Sequence, residues 1–423
     1  MRHYFGWMGV AMLVWATGCQ ESETDLEQMD TGTAMAIRTQ IINTKADGDA
    51  VVDDVKIPAA YSIGVHLTSQ DGLKNYEQVA GLPVPRAHNI RFYTSGTATE
   101  WKAADSWGGT FAGTTENPFY LTTLNARVYA YYPYKAVTAS TYGDNATIPV
   151  SILESGTIAA LKNNAELIFS GGTWIANPAA NQKLITAAPD EQDYMWADLP
   201  DANRYVNSGR AAGTLTANNT AGNPGTSISL TMKHALALVS FRFYNDGTFP
   251  GDGKVSSIKL RNSTLNEFGT HAAGQLLTKG TSPVMNVKSG TITTNAFSSV
   301  ALTRTLGSLY TMVKAAKSNS ETTASAFLVP WNKDQATTNG DAAKASPFVS
   351  MLAYPVASLV ANALALEVVI DGNTYILPVS HSVSSWTKGQ NYQYTVKASG
   401  KALSITTVNV VEWTNVAGGN LDL

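Results

Sequence analysis

Residues able to do chemistry are few and scattered in this sequence of 423 residues. The side chains that could bind a metal ion or transfer a proton are six histidines: His3, His66, His88, His234, His271 and His381. None forms a pair at the spacing of a helical zinc site, and no Gly-x-Ser-x-Gly turn, phosphate loop or dinucleotide fingerprint is present. His234 opens an apolar segment, where we expect a structural role.

Three carboxylates could act as acid and base, namely Glu412 and the neighbouring Glu191 and Asp193. No motif places a second carboxylate opposite Glu412, as glycoside hydrolysis would require. A hydrolase on a β-sandwich is therefore only a third hypothesis. We expect no enzyme activity, no catalytic residue, no metal site and no cofactor.

Cys19 is the only thiol, and it follows a short targeting segment. Arg2 and His3 are basic, and Tyr4–Gly18 carries no formal charge. This run is too short to cross about 30 Å of hydrocarbon comfortably, but it suits the apolar region of a signal peptide. Ala16-Thr17-Gly18-Cys19 resembles the bacterial lipobox, in which the thiol is alkylated with lipid. The alternatives are a signal peptide without lipidation and a core cysteine.

An acidic segment, residues 20–27, follows Cys19. It resembles the export signal of lipoproteins on the outer face of the outer membrane in Bacteroidota-type bacteria, and a plain solvated spacer is the alternative. We expect residues 1–18 to be a signal peptide and the protein to be an outer-membrane lipoprotein precursor at the cell surface.

Composition limits the classes that remain. The net charge of −3 provides no basic field for nucleic acid, so no nucleic-acid partner is expected. If Cys19 is lipidated, no cysteine remains for a disulfide. The length suggests two domains, or three, and no second apolar stretch is long enough for a transmembrane helix.

Alternating apolar residues predict β-strands along most of the chain. Examples are Tyr61–Leu67, the aromatic run Ala126–Tyr134 and Ser227–Met232. Asp371-Gly372-Asn373 separates two strand-like runs and predicts a hairpin. Helices are expected only as short pieces within 151–167 and 308–316. We therefore predict an all-β sandwich architecture with long polar loops, and a domain boundary at Asp246-Gly247.

Several segments, in this order, resemble the fimbrillin family of type V pilus subunits. They are the lipobox at Cys19, Asn43-Thr44-Lys45-Ala46, Ile63-Gly64-Val65, Tyr131-Tyr132-Pro133-Tyr134, Asp193-Tyr194-Met195-Trp196-Ala197, Lys233-His234-Ala235-Leu236-Ala237, Ala326-Phe327-Leu328-Val329-Pro330, Trp386 to Tyr394, and Val410-Val411-Glu412-Trp413. The resemblance implies two tandem transthyretin-like β-sandwich domains, here 46–247 and 248–423. It also implies a leader, residues 19–45, that carries lipid (palmitate included) on Cys19 and contains a removable first strand.

The resemblance further implies assembly by donor-strand exchange into a fimbrium that supports cell adhesion. An arginine-directed protease removes the leader, and the C-terminal strand of a neighbouring subunit fills the groove that opens. The processing site is then Lys45-Ala46, with Arg38 as the less favoured site. The donor-strand residues are Leu403, Ile405, Val408, Val410, Val411 and Trp413. The partners are other pilus subunits, the outer membrane through Cys19, and host or bacterial glycans or proteins.

The residues are compatible with this mechanism. Residues 34–42 have the pattern of a strand, and their removal would leave an unpaired edge that draws in another strand. In the donor strand, Leu403 and Ile405 share one face while Val408 and Val410 share the other, which predicts a bulge or a change of sheet. The family usually has arginine where this chain has Lys45. If Lys45 is not cut, the protein stays lipid-anchored or terminal.

The alternative function is a surface lipoprotein that never polymerises and binds glycans. Trp101, Trp107 and Trp331 lie in or beside polar loops, and exposed aromatic rings can stack on sugars. The competing explanation is that these tryptophans are core or loop-anchoring residues.

Overall fold

The computed structural model is built almost entirely of β-strands, as the sequence predicts. It describes residues 33–40, 62–74, 76, 89–93, 101–103, 119–135, 143–170, 173–177, 185–208, 220, 222, 224–269, 276–315, 339–379, 383–400 and 402–413. In this part of the chain the helices are α1 (Asn339–Ala345) and two 3-10 turns, Gly143–Asn145 and Asp201–Asn203. None of these helices is long and apolar enough to cross a membrane.

The strands are numbered in chain order. They are β1 Thr33–Ala34, β2 Ala36–Gln40, β3 Ser62–Ser69, β4 Ile90–Tyr93, β5 Lys102–Ala103, β6 Tyr120–Leu121, β7 Ala126–Tyr132, β8 Thr147–Pro149, β9 Ser155–Thr157, β10 Leu167–Ser170, β11 Thr173–Ala176, β12 Met195–Ala197, β13 Tyr205–Val206, β14 Ser227–His234, β15 Ala237–Asn245, β16 Lys254–Asn262, β17 Thr278–Gly280, β18 Val284–Asn286, β19 Ile292–Thr293, β20 Phe297–Ser299, β21 Ala301–Thr311, β22 Val313–Lys314, β23 Val349–Ala353, β24 Leu364–Ile370, β25 Asn373–Pro378, β26 Gln390–Ser399 and β27 Ala402–Glu412.

An eight-stranded sheet forms the first part of the fold. Its order is β2-β14-β12-β7-β3-β4-β5, with β13 also paired to β7. The predicted alternation in β3 is present, because Ile63, Val65 and Leu67 all point into one apolar cluster. The intervening residues of β3 are buried as well, so both faces of this strand are covered.

Two five-stranded sheets form a sandwich in the second part. One has the order β25-β24-β16-β21-β9, and the other has β22-β15-β26-β27 with β23 also paired to β15. Alternate residues of β15, such as Val239 and Phe241, share one core cluster with Ile258, Leu302 and Leu366 of the opposite sheet. The two inner faces are therefore the walls of one hydrophobic core.

The predicted hairpin is confirmed, because β24 and β25 pair antiparallel from Ala365–Pro378 to Ile370–Asn373. Asp371 and Gly372 have φ angles of 49° and 79°, which are left-handed conformations. Two consecutive positive φ angles are what a tight hairpin turn of the primed type requires, and Asp-Gly tolerates them.

A bulge interrupts β27 at the place where the apolar pattern changes phase. Thr395 pairs with Thr407 and Val396 pairs with Ile405, so Thr406 is the extra residue. Leu403, Ile405 and Val408 all pack against the sandwich core. The bulge therefore keeps apolar residues on the core side within a single sheet.

The chain passes from the eight-stranded sheet to the sandwich at Ala235-Leu236, between β14 and β15. Strand β9, from the earlier part of the chain, pairs parallel with β21 in the sandwich. The domain boundary at Asp246-Gly247 and the tandem of transthyretin-like domains stay predictions. The expected helices are wrong, since 151–167 contains β9 and 308–314 belongs to β21 and β22.

A third apolar cluster joins the two parts of the fold. Among its members are Tyr129, Tyr131, Tyr194, Trp196, Leu236, Leu238, Met285, Leu352 and Trp413. They come from the eight-stranded sheet, from the sandwich, from the connecting loops and, in the case of Met285, from a small sheet with the order β19-β18-β8. The parts are therefore held together by side-chain packing.

A buried ion pair lies beside this cluster. The guanidinium of Arg304, on β21, donates to the carboxylate of Glu191, and both side chains are fully buried. The same carboxylate oxygen accepts the backbone N–H of Leu352 at 3.0 Å, and Arg304 also donates to the carbonyl of Leu153 at 3.0 Å. One pair of charges thus links four segments of the chain.

A second ionic group predicts how stability depends on pH. Arg261 forms two hydrogen bonds with Glu267, and together with the N–H of Thr264 it lowers the Glu267 pKa from 4.5 to about 2. A lowered pKa adds stability above the unfolded-state value and loses it as the pH falls from about 4.5 towards 2. We expect Glu267→Gln to be less stable than wild type at pH 7 and close to it at pH 2.5, as measured by urea unfolding.

The matched control for that experiment is Glu154→Gln. Glu154 pairs with Lys279 at an exposed position, where ion pairs contribute little. It should follow the wild-type pH profile. A stability difference for Glu267→Gln that is the same at every pH would contradict this assignment.

Candidate functional site

Strands β1 and β2, which belong to the predicted leader, lie at the edge of the fold and connect two sheets. Strand β1 pairs antiparallel with β6, and β2 pairs parallel with residues 227–231 of β14. Between them, the N–H of Met35 donates to the carbonyl of Phe119 at 2.8 Å. Met35 is 5% exposed and belongs to the same cluster as Ile228 and Leu230 of β14. The leader therefore covers both backbone groups and apolar side chains.

The predicted lipidation and processing residues, Cys19, Lys45 and Ala46, lie outside the described residues. Arg38 lies within β2, where its peptide groups are part of the ladder with β14. The predicted strand at 34–42 is thus present over Ala36–Gln40.

Of the three tryptophans considered as sugar platforms, the structure describes Trp101. Trp101 is 7% exposed and packs in the core of the eight-stranded sheet. Trp107 and Trp331 lie outside the described residues, as do His3, His88, His271 and His381. The buried position of Trp101 agrees with a core role.

The predicted donor strand forms the edge of its own sheet. Strand β27 pairs antiparallel with β26 along its whole length, from Ala402 to Glu412. Val410 and Val411 are 48% and 40% exposed, whereas Trp413 is buried. The strand is therefore attached by backbone pairing, by the three core residues beside the bulge, and by Trp413.

Trp413 is held by a buried histidine. Its indole stacks on the His234 ring with centroids 3.7 Å apart and planes 5° from parallel. The backbone N–H of Trp413 donates to the carbonyl of Gly389 at 2.8 Å. His234 is fixed in turn by the buried Asp193, whose Oδ2 lies 2.6 Å from Nδ1. Burial raises the Asp193 pKa, while the nearby His234 acts in the opposite direction.

This arrangement confirms the structural role expected for His234. The Asp193–His234 pair resembles half of a catalytic dyad, but the indole covers the ring face, so the pair supports a side chain rather than a substrate. The sequence contained both residues, yet nothing in their spacing showed that β12 and β14 would place them together.

A cleft of about 600 Å³ opens beside Trp413. Five segments line it: β12 with the loop to Arg204, the end of β14, the loop at 288–289, the turn at 388–390, and Trp413. Gly290, with φ at 64°, lies so close to Trp196 that a Cβ atom would come within 2.2 Å of the indole. Only glycine at position 290 allows this loop to pack so closely against Trp196, which is one of the residues that line the cleft. No pattern in the sequence indicated this cleft.

No group of three or more metal-binding side chains is present in the described part of the chain. The candidate functional features are the contact between Trp413, His234 and Asp193 and the sheet edges at β14 and β27.

Comparison with known proteins decides the family. The family model described as fimbrillin-like matches residues 52–413. This chain belongs to the fimbrillin-like family. Fimbrillin-like proteins are structural adhesion proteins and not enzymes, and their family places this one in a cell-surface fimbrium.

Three of the solved structures that match this chain come from Bacteroides and Porphyromonas species. A putative cell adhesion protein of Bacteroides uniformis is 13% identical, with a TM-score of 0.47, and the match covers 90% of this chain and 100% of that one. A fimbrial protein of Bacteroides vulgatus is 13% identical, with a TM-score of 0.37, over 90% and 99%. The tip fimbrial protein Mfa3 of Porphyromonas gingivalis is 10% identical, with a TM-score of 0.29, over 89% and 100%. No curated protein matches the chain.

The stacked contact predicts that Trp413 anchors the end of this fimbrillin-like chain's last strand. Because a large buried side chain is removed, Trp413→Ala should lower the free energy of unfolding by about 3–5 kcal/mol. Amides near the end of β27 should also exchange with solvent faster than those near its start. Denaturant unfolding and hydrogen exchange measure these two effects.

The control is Val410→Ala, three residues earlier on the same strand and 48% exposed. An exposed truncation of this kind should change stability by no more than about 0.5 kcal/mol. If both variants behave alike, Trp413 is not an anchor.

Proposed function

We propose that this protein is a type V pilus subunit, made as a lipoprotein precursor and assembled by protease-triggered donor-strand exchange. The observation that supports this most directly is the position of β1 and β2. Both precede Lys45, and both pair with strands from the body of the fold at its edge. A cut after Lys45 would separate the leader from the rest of the chain.

Loss of the leader would leave a groove that needs a new strand. The edge of β14 over residues 227–231 would lose its partner, and so would β6. Ile228 and Leu230, which are 2% and 0% exposed, would lose the cover that Met35 gives. Unpaired peptide groups beside an apolar stripe favour the addition of an extended strand.

The C-terminal strand β27 is the proposed donor. It has eleven residues and lies at a sheet edge, so it can in principle pair along the length of an acceptor. Its release from β26 requires that the pairing, the core contacts and the Trp413 anchor be replaced by equivalent contacts in the neighbouring subunit. Exchange is feasible only where the acceptor groove offers them.

The first prediction from this proposal concerns processing. Trypsin should cut the purified precursor after Lys45, and the product should then form oligomer ladders on denaturing gels without heating. Lys45→Ala should abolish both, while Lys45→Arg should retain both because it keeps the cation. Mass spectrometry of the product identifies the cut.

Two results of that experiment would count against the proposal. If the wild-type protein is not cut after Lys45, the proposed processing site is wrong. If it is cut cleanly and stays monomeric, strand exchange is wrong. Arg38→Ala is the control, since Arg38 lies within β2 and its loss should not prevent cleavage after Lys45.

The second prediction concerns the anchor. Cys19→Ala should abolish lipidation, so that the precursor partitions into the aqueous phase in detergent extraction, while the wild-type precursor partitions into detergent. After the cut at Lys45, the lipid mass should be found on the leader fragment alone. A wild-type precursor without added lipid mass would refute lipidation at Cys19.

A further inference from the structure

The cleft beside Trp413 has an excess of positive charge, although the whole chain is slightly acidic. Its lining includes four cationic side chains and two carboxylates. Lys233 pairs with Asp198 at 2.6 Å, and Lys288 pairs with Asp201 at 2.8 Å. In both pairs the carboxylate balances the positive charge of the lysine.

Lys388 is different, because no carboxylate of the described residues lies within ion-pair distance of it. Its ammonium donates to the carbonyl of Ser289 at 2.5 Å and lies 4.0 Å from the centroid of the Trp196 ring. An ammonium has three N–H donors, so at least one of them is free for a ligand. Burial lowers the pKa of Lys388 and the nearby Lys233 lowers it further, while Asp198 acts in the opposite direction.

The other polar groups of the cleft suit a ligand rich in hydroxyls. The Asp198 and Asp201 side chains are 46% and 47% exposed and can accept further hydrogen bonds. Thr231 and Gln390 line the same space. The volume of about 600 Å³ lies in the range of small-molecule sites.

We propose that this cleft binds an acidic sugar, whose carboxylate pairs with Lys388 while its hydroxyls bond to the polar side chains around the opening. Trp196 and Trp413 supply apolar surface to the wall. Binding needs neither leader removal nor strand exchange, so the proposal stands apart from the assembly function.

Trp413 makes the site dependent on the position of β27. The indole is part of the cleft wall and lies at the end of that strand. The cleft is complete only while β27 pairs with β26. The ligand should therefore bind the subunit with its last strand in place.

The test uses the uncut full chain and two sugars that differ only in the charged group. Glucuronic acid should bind in calorimetry or ligand-observed NMR, and glucose should bind at least tenfold more weakly. N-acetylneuraminic acid, acetate and phosphate are the further probes. Lys388→Gln should weaken glucuronic acid binding at least tenfold, while Lys388→Arg should keep most of it.

Lys254→Gln is the matched control, since Lys254 pairs with the exposed Asp252 outside the cleft. Its affinity for glucuronic acid should equal that of wild type. Unchanged thermal unfolding of Lys388→Gln would show that the variant is folded.

Three outcomes overturn the proposal. Equal affinity for glucose and glucuronic acid would show that the sugar carboxylate does not contribute to binding. Binding of acetate or phosphate as tight as that of both acidic sugars reduces the site to a simple anion site. If glucuronic acid does not bind at millimolar concentration, or if it binds Lys388→Gln as tightly as wild type, the cleft is not the proposed site.

Discussion

The buried pair of Arg304 and Glu191 is the interaction on which the joint between the two parts of the fold depends. Two charges in a dry interior are costly unless each is compensated, and removal of one partner leaves the other unpaired. Here the N–H of Leu352 and the carbonyl of Leu153 supply part of that compensation, while Glu191 Oε2 and Arg304 Nε have no hydrogen-bond partner within the described structure. The pair therefore fixes how the segments meet, more than it adds net stability. The apolar cluster around Tyr194 and Trp196 supplies that stability by burial.

The two ends of the described chain differ in how firmly they are attached. The leader contributes strands of two and five residues, whereas β27 contributes eleven residues, a bulge that keeps its apolar side chains inward, and Trp413. Loss of the short strands β1 and β2 removes few contacts, whereas loss of the long, anchored strand β27 removes many. In the proposed assembly, removal of the leader by a cut would thus proceed without unfolding the sandwich. Donation of β27 would have to exchange one set of contacts for another of similar strength, which would favour a partner with the same surface.

Local patterns explain what the sequence predicted correctly. The strand β3, the Asp371-Gly372 turn and the phase change in β27 depend on neighbouring residues, so period and turn chemistry were sufficient. The helices expected at 151–167 and 308–316 were wrong. These segments have only a weak local preference for helix, and pairing with distant strands places parts of them in sheets. Local rules contain no information on which distant strands meet.

The candidate site shows the same limit at the level of side chains. His234 was recognised as structural from its apolar surroundings, but its partners Asp193 and Trp413 are 41 and 179 residues away in sequence. The cleft arises only where five distant segments converge, so its lining could not be read from local patterns. Asp198 and Asp201 line the same cleft, but no carboxylate of the described residues lies within ion-pair distance of Lys388.

Trp413 connects the proposed ligand site with the proposed assembly step. A ligand that binds only the form with β27 in place stabilises that form by mass action, in proportion to its concentration relative to its dissociation constant. At a concentration a hundredfold above that constant the gain is about 2.7 kcal/mol, which is comparable with the loss of one large side-chain contact. An acidic sugar at the cleft would therefore oppose release of β27. Because linkage is reciprocal, a subunit that has donated β27 would bind the sugar less well.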